Sequence, residues 1–136
     1  MSYSSNVAQF LYFIAMVEGG KEAGEEEGNC YVKIGITNDP LARLAKLQTG
    51  CPLELILIGT VKPRKVSARA LEQALHQLYS HLRVYGEWFN GNGEIWGGVR
   101  FFLDMPGGDW AHRFAHLGHR DGTLFSKESI GIAALI

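Results

Sequence analysis

Phe10-Leu-Tyr-Phe-Ile-Ala-Met-Val17 is short, apolar and rich in aromatic residues, which predicts a central β-strand rather than a helix. It ends at Glu18-Gly-Gly, and residues 18–29, with five glutamates and four glycines and no apolar spacing, read as an exposed acidic loop. Tyr31-Val-Lys-Ile-Gly-Ile-Thr37 then resumes strand character and is expected to pair beside the first strand. Asn38-Asp39-Pro40 supplies a cap and a proline at the first helical position, and Leu41, Leu44 and Leu47 follow at three-residue spacing, so a short helix comes next.

Outward from this nucleus, Leu53–Val61 reads as a third strand, and Pro63 interrupts regular structure after it. Ser67–Leu82 has helical composition, with Leu71, Leu75, Leu78 and Leu82 on one stripe. Gly86-Glu87-Trp88-Phe89 turns back toward the core. Ile95, Val99, Phe102 and Leu103 suggest a further helix interrupted by Gly97 and Gly98, and Met105–Ile136 is expected to offer an irregular connection, a helical turn and the terminal apolar stretch Ile130–Ile136. The predicted class is α/β: a short mixed or antiparallel sheet flanked by helices.

The chain has 136 residues, of which 46% are hydrophobic, enough for one core and too apolar for wholesale disorder. Its 17 glycines show no three-residue period, which excludes collagen. Cys30 and Cys51 permit at most one disulfide, so a disulfide framework is excluded. The run Phe10–Val17 is too short to cross a bilayer and no basic segment precedes it, so the expectation is a soluble intracellular protein without a membrane partner. The net charge of -1 conceals an asymmetry: residues 1–30 carry -4, residues 31–85 carry +5 and residues 86–136 carry -2. The middle segment suits a polyanion.

These residues resemble the GIY-YIG nuclease superfamily, in particular its phage-associated branch of T5 Orf172-like or meiotically up-regulated gene 113-like domains. Leu11-Tyr12-Phe13-Ile14 is similar to the first motif, Lys33-Ile34-Gly35 to the second and Gly86-Glu87-Trp88-Phe89 to the branch-specific ending. Arg43 stands eight positions after Gly35, as the helix arginine, and Glu72 corresponds to the metal carboxylate. The resemblance covers about residues 10–90, implying a catalytic core over residues 1–90 with 91–136 as an extension packed on it. It implies a Mg2+-dependent endonuclease, with Mn2+ as a substitute, acting on DNA in the cytoplasm of a bacterial or phage-infected cell. RNA, a protein partner and a homo-oligomer are left open. Three departures stand out: only Tyr12 of the first motif name is retained, Lys33 replaces a tyrosine, and Leu47 stands where many such nucleases place a histidine or tyrosine. Asn90 is the one candidate for the family's late asparagine.

Phosphodiester hydrolysis needs an aligned water, neutralised phosphate charge and a route for leaving-group protonation. Glu72 could hold Mg2+ with waters and substrate oxygens completing the shell. Arg43 could contact phosphate oxygens in bidentate fashion. Tyr12 could orient or deprotonate water, and Lys33 and Arg43 offer cations that would favour its phenolate. His76, four residues after Glu72 on one helical side, could exchange protons, touch phosphate or assist the metal, or simply pack. Tyr79 and Arg83 extend that side as further contacts, with Tyr79 alternatively a partly buried aromatic.

Lys62, Arg64, Lys65 and Arg69 form the clearest basic patch, suited to positioning a nucleic-acid backbone. Trp88 and Phe89 read as core residues, and Glu87 as the maker of a local pair or bond. His112, His116 and His119, with Asp109, lack a complete zinc spacing, because Gly118 interrupts the helical geometry. Gly107-Gly108 lacks the remaining residues of a phosphate loop. The competing readings are a noncatalytic nucleic-acid-binding module and a protein-interaction module with this fold.

Overall fold

Leu11, Phe13 and Ala15 pack into one apolar cluster while Tyr12 and Ile14 pack into another, and all five are buried. Side chains alternate across a strand, so a segment covered on both faces must be apolar throughout. This is why Phe10–Val17 forms β1 at the interior of the sheet. The computed structural model describes residues 9–17 and 30–111.

β1 pairs on one side with β2 (Cys30–Thr37) and on the other with β3 (Leu55–Val61), whose register shifts between Phe13 and Ile14. A hairpin of β4 (Arg83–Tyr85) and β5 (Trp88–Asn90) extends the sheet beyond β2, and β6 (Gly108–Trp110) extends it beyond β3. The order is β4-β5-β2-β1-β3-β6 and every pairing is antiparallel. Helix α1 (Pro40–Thr49) lays Leu44 and Leu47 on Tyr12 and Ile14, whereas α2 (Ala68–Leu78) and α3 (Gly93–Asp104) cover the opposite face through Leu71, Leu75, Ile95 and Phe102. Leu44 and Leu47 are half-buried, whereas Leu71, Leu75, Ile95 and Phe102 are fully buried and each contributes about 1.5–3 kcal/mol of transfer free energy.

The helix starts follow from their caps. Asp39 Oδ1 accepts from Ala42 N at 3.1 Å ahead of Pro40, Ser67 Oγ from Ala70 N at 3.0 Å, and Asn92 Oδ1 from Ile95 N at 3.1 Å. No helix among the described residues is long and apolar enough to cross a membrane.

The structure corrects four boundaries. α2 stops at Leu78 rather than Leu82; the chain tightens into a 3-10 turn over Ser80–Leu82 that still buries Leu82. β3 begins at Leu55 rather than Leu53, because the Gln48 side chain donates to Leu53 O at 2.9 Å and accepts from Leu55 N at 2.8 Å, holding the preceding residues in a loop. α3 runs unbroken through Gly97 and Gly98. A Cβ at Gly98 would overlap the Tyr79 hydroxyl and lie 2.9 Å from its Cζ, so that glycine is there to admit a neighbouring ring. Finally, Gly108–Trp110 is a strand rather than an irregular connection, closed on β3 from Val61 to Gly59. The acidic segment 18–29, His112, His116, His119 and Ile130–Ile136 lie outside the described residues.

Candidate active site

β5 is short, and this opens the site. It pairs with β2 from Tyr31 to Lys33, and the hairpin then turns away after Glu87 O accepts from Ile34 N at 3.1 Å. The carbonyl of Ile34 faces the gap so created, where His76 Nε2 from α2 bonds it at 2.7 Å. A carbonyl only accepts, so Nε2 carries a hydrogen in this bond, and Nδ1 is the ring nitrogen that holds a lone pair whenever the ring is uncharged. His76 also meets Phe89 edge to face, 5.2 Å between ring centroids. α2 is thereby pinned across the open edge of β2.

One turn earlier on α2, Glu72 is buried at this edge and hydrogen-bonds to Glu87. Glu72, His76 and Glu87 each offer a ligand atom within 4.8 Å of the others, the one such triad among the described residues. Burial, and then the Glu87 charge, hold the Glu72 carboxyl above its ordinary value, while His76 and Arg69 oppose the rise. Glu87 is held from the other side by Lys33, whose Nζ lies 3.1 Å from Oε1 and 5.4 Å from the centroid of the Trp88 ring. Lys33 is itself buried, so this pairing is what permits an ammonium at a strand interior.

Tyr12 lies opposite Gly35 in the register, and a Cβ on Gly35 would stand 2.6 Å from Tyr12 Cζ. The glycine of the second motif is therefore the floor on which the tyrosine of the first one rests. Arg43 reaches from α1 to hydrogen-bond the phenol. The net effect on Tyr12 is nonetheless upward from 10.0, because burial outweighs that bond and the Glu87 and Glu72 charges add to it. The expectation of a phenolate favoured by neighbouring cations is corrected: Tyr12 is a neutral phenol at neutral pH, and Lys33 is committed to Glu87.

Tyr12, Lys33, Arg43, Glu72 and His76 thus converge at one edge of β2, joined by Glu87, which the sequence reading confined to a local pair. The signal for Glu87 was its place in Gly86-Glu87-Trp88-Phe89, masked by the aromatic residues beside it. Lys62, Arg64, Lys65 and Arg69 are exposed between β3 and the first turn of α2, and Arg69 is near enough to Glu72 for its charge to act there. Of the two readings of Tyr79, a contact on the polar side with His76 or a buried aromatic, the structure has the second: it is buried against α3. Arg83 donates from Nε to Gly86 O at 2.7 Å and so closes the hairpin, while Asn90 is exposed at the far end of β5, opposite Tyr31.

No match was found among curated proteins or among solved structures. The model of the T5orf172 domain matches residues 9–103, which hold every strand and helix that builds the site as well as its six converging side chains. That match is consistent with the GIY-YIG resemblance of the motifs. On this extent of agreement, the chain belongs to the T5orf172 domain family.

Proposed function

We propose that this protein is an endonuclease that hydrolyses DNA phosphodiester bonds with a divalent cation, Mg2+ first and Mn2+ as its substitute. The observation that carries the reading is the Glu72–His76–Glu87 triad set beside the Tyr12–Arg43 pair. The donor set suits a cation: two carboxylates share the edge, and one of them is held partly toward its protonated form by burial and by the other. His76 supports the fit, since a ligating imidazole typically donates its other N–H to a backbone carbonyl, as Nε2 does to Ile34 O.

In this reading Glu72 and Glu87 would hold the ion, and Nδ1 of His76 is the ring nitrogen not engaged by Ile34 O that could join them. The bound cation supplies charge neutralisation at the scissile phosphate and at the departing oxygen. Arg43 contacts the phosphate oxygens while donating to Tyr12. The neutral Tyr12 accepts from Arg43 and donates its own hydrogen, so it orients the attacking water instead of deprotonating it. Lys33 holds Glu87 in place. Lys62, Arg64, Lys65 and Arg69 position the backbone of the substrate without reading its bases.

The test is a cleavage time course on plasmid, linear duplex, single-stranded DNA and RNA, with Mg2+, Mn2+ or chelator, run beside Glu72→Gln. Cleavage lost in chelator and in the variant supports the proposal. Folded wild-type protein that binds DNA in a salt-sensitive manner but never cuts would overturn it in favour of a binding module.

A further inference from the structure

The exposed large hydrophobic residues among those described are Leu41, Val84 and Tyr85, and two of the three sit on β4, next to the site. Tyr85 is 81% exposed. Its position is built rather than incidental. The register of β4 on β5 shifts between Arg83 and Tyr85, so that Arg83 faces Phe89 but Tyr85 faces Trp88 across the two-residue turn Gly86–Glu87. Gly86 takes a φ of 56°, and the bond from Arg83 Nε to its carbonyl clamps the turn.

Cross-strand partners share a face of the sheet. The register runs Tyr85 to Trp88, Trp88 to Lys33 and Lys33 to Ile14, and Trp88 and Ile14 belong to the apolar cluster that also contains Tyr12. Tyr85 therefore lies on the Tyr12 face of the sheet, beyond the cover of α1. Glu87, two residues on, reaches the acidic triad. A solvent-facing aromatic ring thus stands on the same hairpin as Glu87 of the triad, in the segment of the chain that carries +5.

We propose that Tyr85, the cross-strand partner of Trp88, is a stacking platform for an unpaired base flanking the cleaved phosphate, so that the substrate is DNA with a single-stranded segment at the cut. This rests on the nuclease reading above. A base in a blunt duplex has both π-faces covered by its neighbours, whereas an unpaired one can lie on the ring. Because the backbone that carries the ring is already held by the strand pairing and the clamped turn, only the side chain needs ordering on binding.

Binding of the full chain is measured in chelator by anisotropy, with two labelled DNAs of equal phosphate count, one a blunt duplex and one carrying a single-stranded segment, for wild type, Tyr85→Ala and Tyr85→Phe. The expected result is a loss of about tenfold or more in affinity for the DNA with the unpaired segment in Tyr85→Ala, no change for the blunt duplex, and recovery in Tyr85→Phe. An equal loss on both DNAs, or no loss on either, overturns the platform while leaving the nuclease reading standing. Wild-type protein that binds neither DNA overturns both.

Discussion

Gly35 lies beneath the Tyr12 ring, so close that a Cβ there would stand 2.6 Å from Tyr12 Cζ. Tyr12 is 1% exposed and cannot swing aside cheaply. Gly35→Ala is therefore expected to push the phenol off Arg43, costing about 1–3 kcal/mol of stability and most of any cleavage. Urea midpoints and initial rates on one preparation check this, and a variant as stable and as active as wild type would refute the packing argument.

Glu72 predicts a pH dependence in the metal-free protein. Its carboxyl is held above the ordinary 4.5 by burial and by Glu87. An acid with a raised folded-state pKa contributes stability that is fully present below the unfolded value and is lost as pH rises through the folded one. The denaturation midpoint in chelator should thus carry a component that falls as pH climbs upward from 4.5, and Glu72→Gln should remove that component. Superimposable pH profiles for the two proteins would contradict it.

Lys33 neutralises Glu87 at 3.1 Å. Lys33→Met leaves two neighbouring carboxylates with less compensating charge, and a stability loss of about 1 kcal/mol is expected without metal. Adding Mg2+ or Mn2+ should then raise Tm by more in the variant than in wild type, since the cation takes over the missing charge. Equal metal-induced shifts in calorimetry would show that the pair does not border the proposed cation site.

Gly98 provides a control away from the chemistry. Gly98→Ala drives a methyl into the buried Tyr79 hydroxyl and should destabilise by about 1–3 kcal/mol with the pH component of Glu72 preserved. A change in that component would mean that α3 and the site are coupled.

Arg64 and Arg69 are exposed beside the start of α2. Replacing both by Gln should weaken DNA binding alike for all sequences and reduce the log–log salt slope by about one for each phosphate no longer neutralised. An unchanged slope would place the backbone path elsewhere.

What the sequence by itself determined is whatever local rules control. The unbroken apolar run of β1 marked it as interior to the sheet, Asp39 and Pro40 placed the start of α1, and the leucine stripe located α2. The order and spacing of Tyr12, Lys33, Arg43 and Glu72 were enough to bring out the family. Only the tertiary structure decided what lies between them. Lys33 and Glu87 are 54 positions apart, and no propensity or spacing says that a buried ammonium on β2 will find its carboxylate in a hairpin turn. Nor could composition show that burial outweighs Arg43 at Tyr12, or that Gly98 is a berth for Tyr79 instead of a helix breaker. Helix caps and strand alternation are set by neighbours within a few residues. Desolvation, charge pairing and close packing depend on which distant groups the fold brings together, and they are settled only when the chain has closed around them.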